Sequence, residues 1–121
     1  MRRRPQRCWP LLLLAAGALA VAGCADQDVV VVEIRGNTFD PGTVEVTPGT
    51  TVRWINHDAR PHAIRPADDD DPTWEGAEIT SGERVSHTFD EPTTWAYQCA
   101  FHGDGEMIGV VVVDPDAEGG V

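Results

Sequence analysis

The chain has 121 residues, 41% hydrophobic and 24% charged, with 20 acidic side chains against 9 basic ones and a formal charge of −11. A negative surplus of this size excludes nucleic acid as a natural partner and fits either simple solubility or a basic protein partner. The length leaves room for one small core.

The N-terminal segment departs from that composition. It opens MRRRPQRCWP, with four arginines in seven residues, and continues LLLLAAGALAVAGC. A basic stretch, a short apolar run and then small residues form the layout of a secretory signal. The apolar run from Trp9 to Ala22 is 14 residues. A bilayer-spanning helix needs roughly 20, so export is the reading in preference to a short transmembrane anchor. The signal ends VAGC, Val21 to Cys24, which resembles the bacterial lipobox. That resemblance implies removal of residues 1–23, acylation of Cys24 and a lipidated tether over 24–28. The protein would then sit on the outer face of the cytoplasmic membrane or in the periplasm or cell envelope. Stable anchoring takes more than one acyl chain. The mature 98 residues would carry five arginines against 20 carboxylates, a charge of −15. With Cys8 removed and Cys24 acylated, Cys99 is a lone thiol in an exported protein, and a lone thiol there needs a purpose.

Beyond the tether the chain reads as short β-rich runs separated by Gly and Pro, with no internal repeat and no long helical period. VVVVEIR (29–35) is a first strand. TVEVT (43–47) places Val44 and Val46 on one face. After the turn PGT comes TVRWIN (51–56), and HAIR (62–65) is a shorter run. ERVSHTFD (83–90) aligns Val85, His87 and Phe89, and TTWAYQC (93–99) aligns Trp95, Tyr97 and Cys99. MIGVVVVD (107–114) closes the set. Seven or so such strands predict an all-β sandwich or barrel, with function in the end loops. Trp54, Trp95 and Tyr97 are expected in its core. The longest irregular piece, PADDDDPTWEGA, holds four consecutive aspartates, Asp68 to Asp71. Counted from Asp68, the Gly and Glu of a calcium-binding loop do not fall at the required positions, so a solvated acidic loop is expected.

The chemistry concentrates in WAYQCAFHGDGEM. Cys99, His102 and Met107 are three different soft or borderline donors within nine residues. The segment runs from the end of one strand to the start of the next, so all three can face one point. A fourth donor must come from elsewhere. His62 follows Pro61 at the exit of a loop, where the fixed proline φ suits a positioned ligand. His57, five residues earlier, is its only rival, and His87 fits a packed strand position. One thiolate, two imidazoles and a weak thioether are the donor set of a blue-copper electron-transfer site. Soft sulfur suits Cu(I) and imidazole suits Cu(II), so a mixed set serves both oxidation states.

The stretches FDPGTVEVTPGTTVRWIN, PHAI and HTFDEPTTWAYQC, with the Cys-x₂-His-x₄-Met of Cys99, His102 and Met107, resemble the cupredoxins of the plastocyanin, amicyanin and halocyanin type. The resemblance implies a Greek-key β-sandwich or barrel of about seven to eight strands over 29–115, with a C-terminal tail at 116–121. It implies one type 1 copper ion held by His62, Cys99, His102 and Met107. It also implies single-electron shuttling between membrane-associated redox proteins such as a cytochrome, an oxidase or a dehydrogenase, carried out by a monomer with no enzymatic activity. Halocyanins share the acidic surface and the lipid anchor. The eight-residue step from Cys99 to Met107 is like that of plastocyanin.

Several positions depart from the pattern. The Asn that often follows the first ligand His, and its hydroxyl partner after the Cys, are Ala63 and Ala100 here, which removes one side-chain clamp between the ligand loops without orphaning a polar group. Gln98 stands where plastocyanins carry a relay Tyr, which argues against a photosynthetic role. Three other readings use the same donors. Zinc would leave Met107 idle, a Cys–His nucleophile would need a substrate pocket, and copper storage or delivery normally uses more than one Met. Phe101 replaces the Pro common before the second His and frees a backbone N–H that could donate toward the sulfur. Replacement of Phe101 by Pro is therefore expected to lower the reduction potential, and electrochemistry that finds it unchanged would refute that role for the amide.

Overall fold

The computed structural model describes residues 28–101 and 107–117. The expected signal segment, the acylation site Cys24, the candidate ligand His102 and the end of the tail lie outside the described residues.

Nine strands are formed among the described residues: β1 (Val29–Arg35), β2 (Thr38–Asp40), β3 (Thr43–Val46), β4 (Thr50–Asn56), β5 (His62–Pro66), β6 (Ala77–Ile79), β7 (Arg84–Phe89), β8 (Thr93–Cys99) and β9 (Ile108–Val113). They make a four-stranded sheet in the order β2-β1-β4-β7 and a five-stranded sheet in the order β3-β9-β8-β5-β6. The pairs β1–β4 and β3–β9 are parallel, and the other pairings are antiparallel. Each sheet turns one face inward, so side chains of period two fill the space between the sheets. In β1 the period, not the run of valines, selects the core. Val32 and Ile34 are fully buried, whereas Val29 and Val31 are 44% and 37% exposed.

Two strands go beyond the seven runs read from the sequence. β2 and β6 are three residues each, too short to show a period, and they exist because a neighbour supplies the ladder. β2 folds back on β1 through Gly36 and Asn37, whose φ values of 59° and 61° are those of a two-residue hairpin turn. β6 pairs with β5, His62 opposite Ile79 and Ile64 opposite Ala77. Gly76 leads into it at φ 91°, with the Ile64 carbonyl where a Cβ would stand. Only glycine satisfies both conditions.

The centre of the core is aromatic. Trp54 of β4 meets Tyr97 of β8 edge-on at 5.5 Å, and Trp95 stacks on Tyr97 at 5.1 Å. As expected, all three are buried. Burial pushes the Tyr97 phenol up to about 12, partly offset by the Trp54 indole, so it stays protonated at neutral pH. The acidic loop between β5 and β6 is anchored by Trp74, which the strand pattern did not single out. Its indole lies 5.5 Å from Trp54 and 5.4 Å from Trp95, and its outer face stacks on His87 at 4.4 Å and 10°. The aspartates at 68–70 remain in solvent, held in tight turns by the bonds from the Asp70 amide to Asp68 Oδ1 and from the Asp71 amide to the Asp68 carbonyl.

Burial lowers the His87 pKa from 6.5, and Asp90 opposes this only in part. The unfolded chain therefore binds this proton at a higher pH than the folded one. The contribution is fully present above about pH 6.5 and is lost as pH falls toward the folded value. Denaturant unfolding at about pH 7.5 and about pH 5.5 should show a smaller loss of stability in His87→Phe than in the unaltered protein, because the ring stack persists without the proton.

Candidate metal centre

A turn, a loop and a strand end meet at one end of the sandwich. The β1–β2 turn, the β4–β5 loop (57–61) and the end of β8 lie together there. β5 and β8 run antiparallel with Ile64 opposite Cys99, which puts His62, the first residue of β5, beside the last residue of β8. His62 and Cys99 are both fully buried, and Met107 is 2% exposed. The Cys99 Sγ lies 3.7 Å from His62 Nδ1. Met107 is tied to the same point through its carbonyl, which accepts the Cys99 N–H at 3.0 Å. His102 is outside the described residues. Among those that are described there is no cluster of three His, Cys, Asp or Glu; the imidazole of His62 and the thiol of Cys99 face each other, and Met107 is held beside them through its main chain.

The geometry separates the rival histidines. His57 is exposed, with its Nε2 3.8 Å from Glu33 Oε1. His87 stacks on Trp74. Only His62, of these three, faces the thiol.

The β4–β5 loop is shaped by the buried side chain of Asn56. Its Nδ2 donates to the Arg60 carbonyl at 2.9 Å and the Ile79 carbonyl at 3.0 Å, and its Oδ1 accepts the Asp58 N–H at 2.8 Å. Asp58 in turn receives the N–H of Gly36 on Oδ1 at 2.7 Å and of Asn37 on Oδ2 at 2.9 Å, and Oδ2 lies 2.9 Å from His62 Nε2. Burial pushes the Asp58 carboxyl up, but the Asn37 amide, the His62 ring and the Gly36 amide together outweigh it and hold it below its ordinary 3.8. Nothing in a composition or strand reading marks Asp58. The signal that could have found it is a carboxylate four residues before a ligand-type His, on the same short loop.

The lost side-chain clamp at Ala63 and Ala100 has a backbone counterpart. The Ala100 N–H donates to the Ala63 carbonyl at 2.7 Å, and the Ala63 N–H points at Cys99 Sγ at 3.4 Å. The two ligand segments are thus joined without polar side chains at either position.

The residues fit a copper ion. With Nε2 engaged by Asp58, Nδ1 is the ring atom turned toward the sulfur. At the distances usual for zinc, about 2.1 Å to nitrogen and about 2.3 Å to sulfur, two donors of one ion at an angle of about 110–120° would stand about 3.6–3.8 Å apart, a spacing that zinc and copper would share. The observed gap of 3.7 Å falls in that interval. The mix of nitrogen and sulfur donors suits copper, and Met107, buried and bonded through its main chain to Cys99, is the candidate for a weak thioether donor.

Comparison with known proteins shows the family. The chain matches the family described as copper binding proteins, plastocyanin/azurin family, over residues 27–114. It is 34% identical over 83 residues to plastocyanin of Scenedesmus fuscus, covering 62% of this chain and 85% of that protein. Against amicyanin-alpha of Methylorubrum extorquens it is 33% identical over 105 residues, covering 84% and 85%. Among solved structures, a purple cupredoxin from Nitrosopumilus maritimus superposes with a TM-score of 0.62 at 29% identity, covering 70% of this chain and 99% of that one. The reduced state of an amicyanin mutant gives 0.62 at 31%, covering 71% and 82%.

Replacing Asn56 by Ala removes the side chain bonds to the Ile79 and Arg60 carbonyls and to the Asp58 N–H, and frees the loop that carries Asp58. Guanidinium unfolding of the copper-free protein should show a loss of about 3 kcal/mol. A loss below about 0.5 kcal/mol, the range of an ordinary surface change, would show that the loop holds its shape without the amide.

Proposed function

The chain belongs to the plastocyanin/azurin family of copper-binding proteins, and from that premise we propose that it is a blue-copper carrier with one type 1 ion held by His62, Cys99, His102 and Met107. Like plastocyanin and amicyanin it is an electron carrier rather than an enzyme. The bound ion supplies one-electron exchange between Cu(II) and Cu(I). The protein's part is to present the donors already placed. A rigid donor set that suits both oxidation states keeps rearrangement on electron transfer small.

The observation that carries this reading is the pair of fully buried donors, Cys99 Sγ and His62 Nδ1, 3.7 Å apart at the end of a closed sandwich. Burial keeps the thiol from solvent oxidants and gives it no route to a disulfide. Electron entry is assigned to His102, and the exposed side chains of Phe101, its neighbour in the chain, and Ile108, 53% and 56% exposed, give a partner an apolar landing surface. The acidic exterior steers a basic redox partner such as a cytochrome, an oxidase or a dehydrogenase, an attraction that salt weakens. Export by the N-terminal signal and acylation of Cys24 hold the monomer at the membrane where such partners reside.

Cu(II) added to the mature domain (25–121, without the acylated Cys) is expected to give an intense blue band that disappears in Cys99→Ser. A colourless protein that nevertheless binds metal would shift the function to zinc or to Cu(I) handling.

A further inference from the structure

We propose that Asp58 is a positioning residue of the metal centre: its carboxylate fixes the His62 ring with Nδ1 toward Cys99 and, as a negative charge one hydrogen bond from a ligand, favours the oxidised ion over the reduced one. The inference rests on the reading of His62 as a ligand given above.

The carboxylate is itself held by backbone. Gly36 and Asn37 both adopt left-handed φ, 59° and 61°, and this conformation turns their successive N–H groups to the same side. One donates to Asp58 Oδ1 at 2.7 Å and the other to Oδ2 at 2.9 Å. Asp58's own N–H is held by Asn56 Oδ1. The residue is thus fixed from two elements, its main chain by Asn56 and its carboxylate by the hairpin turn, so the side chain orientation is not chosen among free rotamers. Oδ2 is left 2.9 Å from His62 Nε2.

A carboxylate only accepts, so this contact places the ring proton on Nε2 and makes Nδ1, on the side of Cys99, the nitrogen that carries the lone pair. Acceptance by a charged group also makes the ring a stronger donor. Coulomb attraction scales with the charge of the ion, so one fixed negative charge stabilises a divalent ion more than a monovalent one. An aspartamide at the same place would keep a hydrogen bond to the ring but drop the charge. Partners of this kind typically alter metal affinity by about 10- to 100-fold.

The test uses the full, copper-loaded protein and Asp58→Asn. The variant is expected to keep the blue band and to shift the ratio of Cu(II) to Cu(I) affinity about tenfold toward Cu(I), a rise in potential of about 59 mV for one electron. Asp58→Glu, which restores the charge, should recover part of that shift. An unchanged ratio with the band intact overturns the proposal and leaves the ligand assignment standing. Absence of the band in the unaltered protein removes the proposal together with its premise. If Asp58→Asn does not fold, nitrogen-15 NMR of the reduced, unaltered protein decides. A His62 proton on Nε2, protected from exchange, supports the proposal. A proton on Nδ1, or an Nε2 proton in free exchange with water, overturns it.

Discussion

One buried side chain amide closes the junction on which the site depends. Asn56 ends β4 in the first sheet, yet its Nδ2 reaches the Ile79 carbonyl in the second sheet and the Arg60 carbonyl in the loop between them. Its backbone N–H bonds the Glu83 carbonyl, and its carbonyl takes the Gly82 N–H. A polar side chain at 0% exposure is costly unless every group is satisfied, and here the bonds to Arg60, Ile79 and Asp58 satisfy both ends of the amide. The same bonds set where the chain leaves one sheet and enters the other. An apolar residue of similar size could fill the space but could not hold that crossing.

From this junction the support runs outward to His62. Asn56 holds the Asp58 amide, Asp58 collects the β1–β2 turn and faces His62, and His62 faces Cys99. Hydrogen bonds from backbone to side chain, rather than salt bridges, do most of the fixing. That matters for a carrier whose donors must not move when the charge of the ion changes. It also explains how alanines at 63 and 100 are tolerated, because the link between the two ligand segments is carried by main-chain groups that any residue provides.

The opposite demand applies to the acidic loop. Its aspartates belong in solvent, where they can create a long-range field, but a loop of this length needs an anchor. Trp74 supplies it by packing among Trp54, Trp95 and His87. One aromatic side chain thus keeps the charged segment close to the sheet without adding a strand.

Much of this was legible from the chain alone. Alternation in 43–47, 83–90 and 93–99 assigned the buried faces, since a period of two leaves a strand no other choice. The donor types at 62, 99, 102 and 107, with their spacing and family resemblance, named copper, because few ions suit a thiol, imidazoles and a thioether together. The sequence also separated His62 from His57 by the proline before it. What it could not determine were contacts between segments distant along the chain. β2 and β6 are too short to carry a pattern and are defined by their partners. Trp74 reads as a loop residue until the sheets close around it. Asp58 reads as one more carboxylate among 20 until the Gly36–Asn37 turn, 21 to 22 residues away, brings two amides to it and sets it against the ring of His62. Local pattern determines which way a side chain faces, and only tertiary closure decides what it meets there.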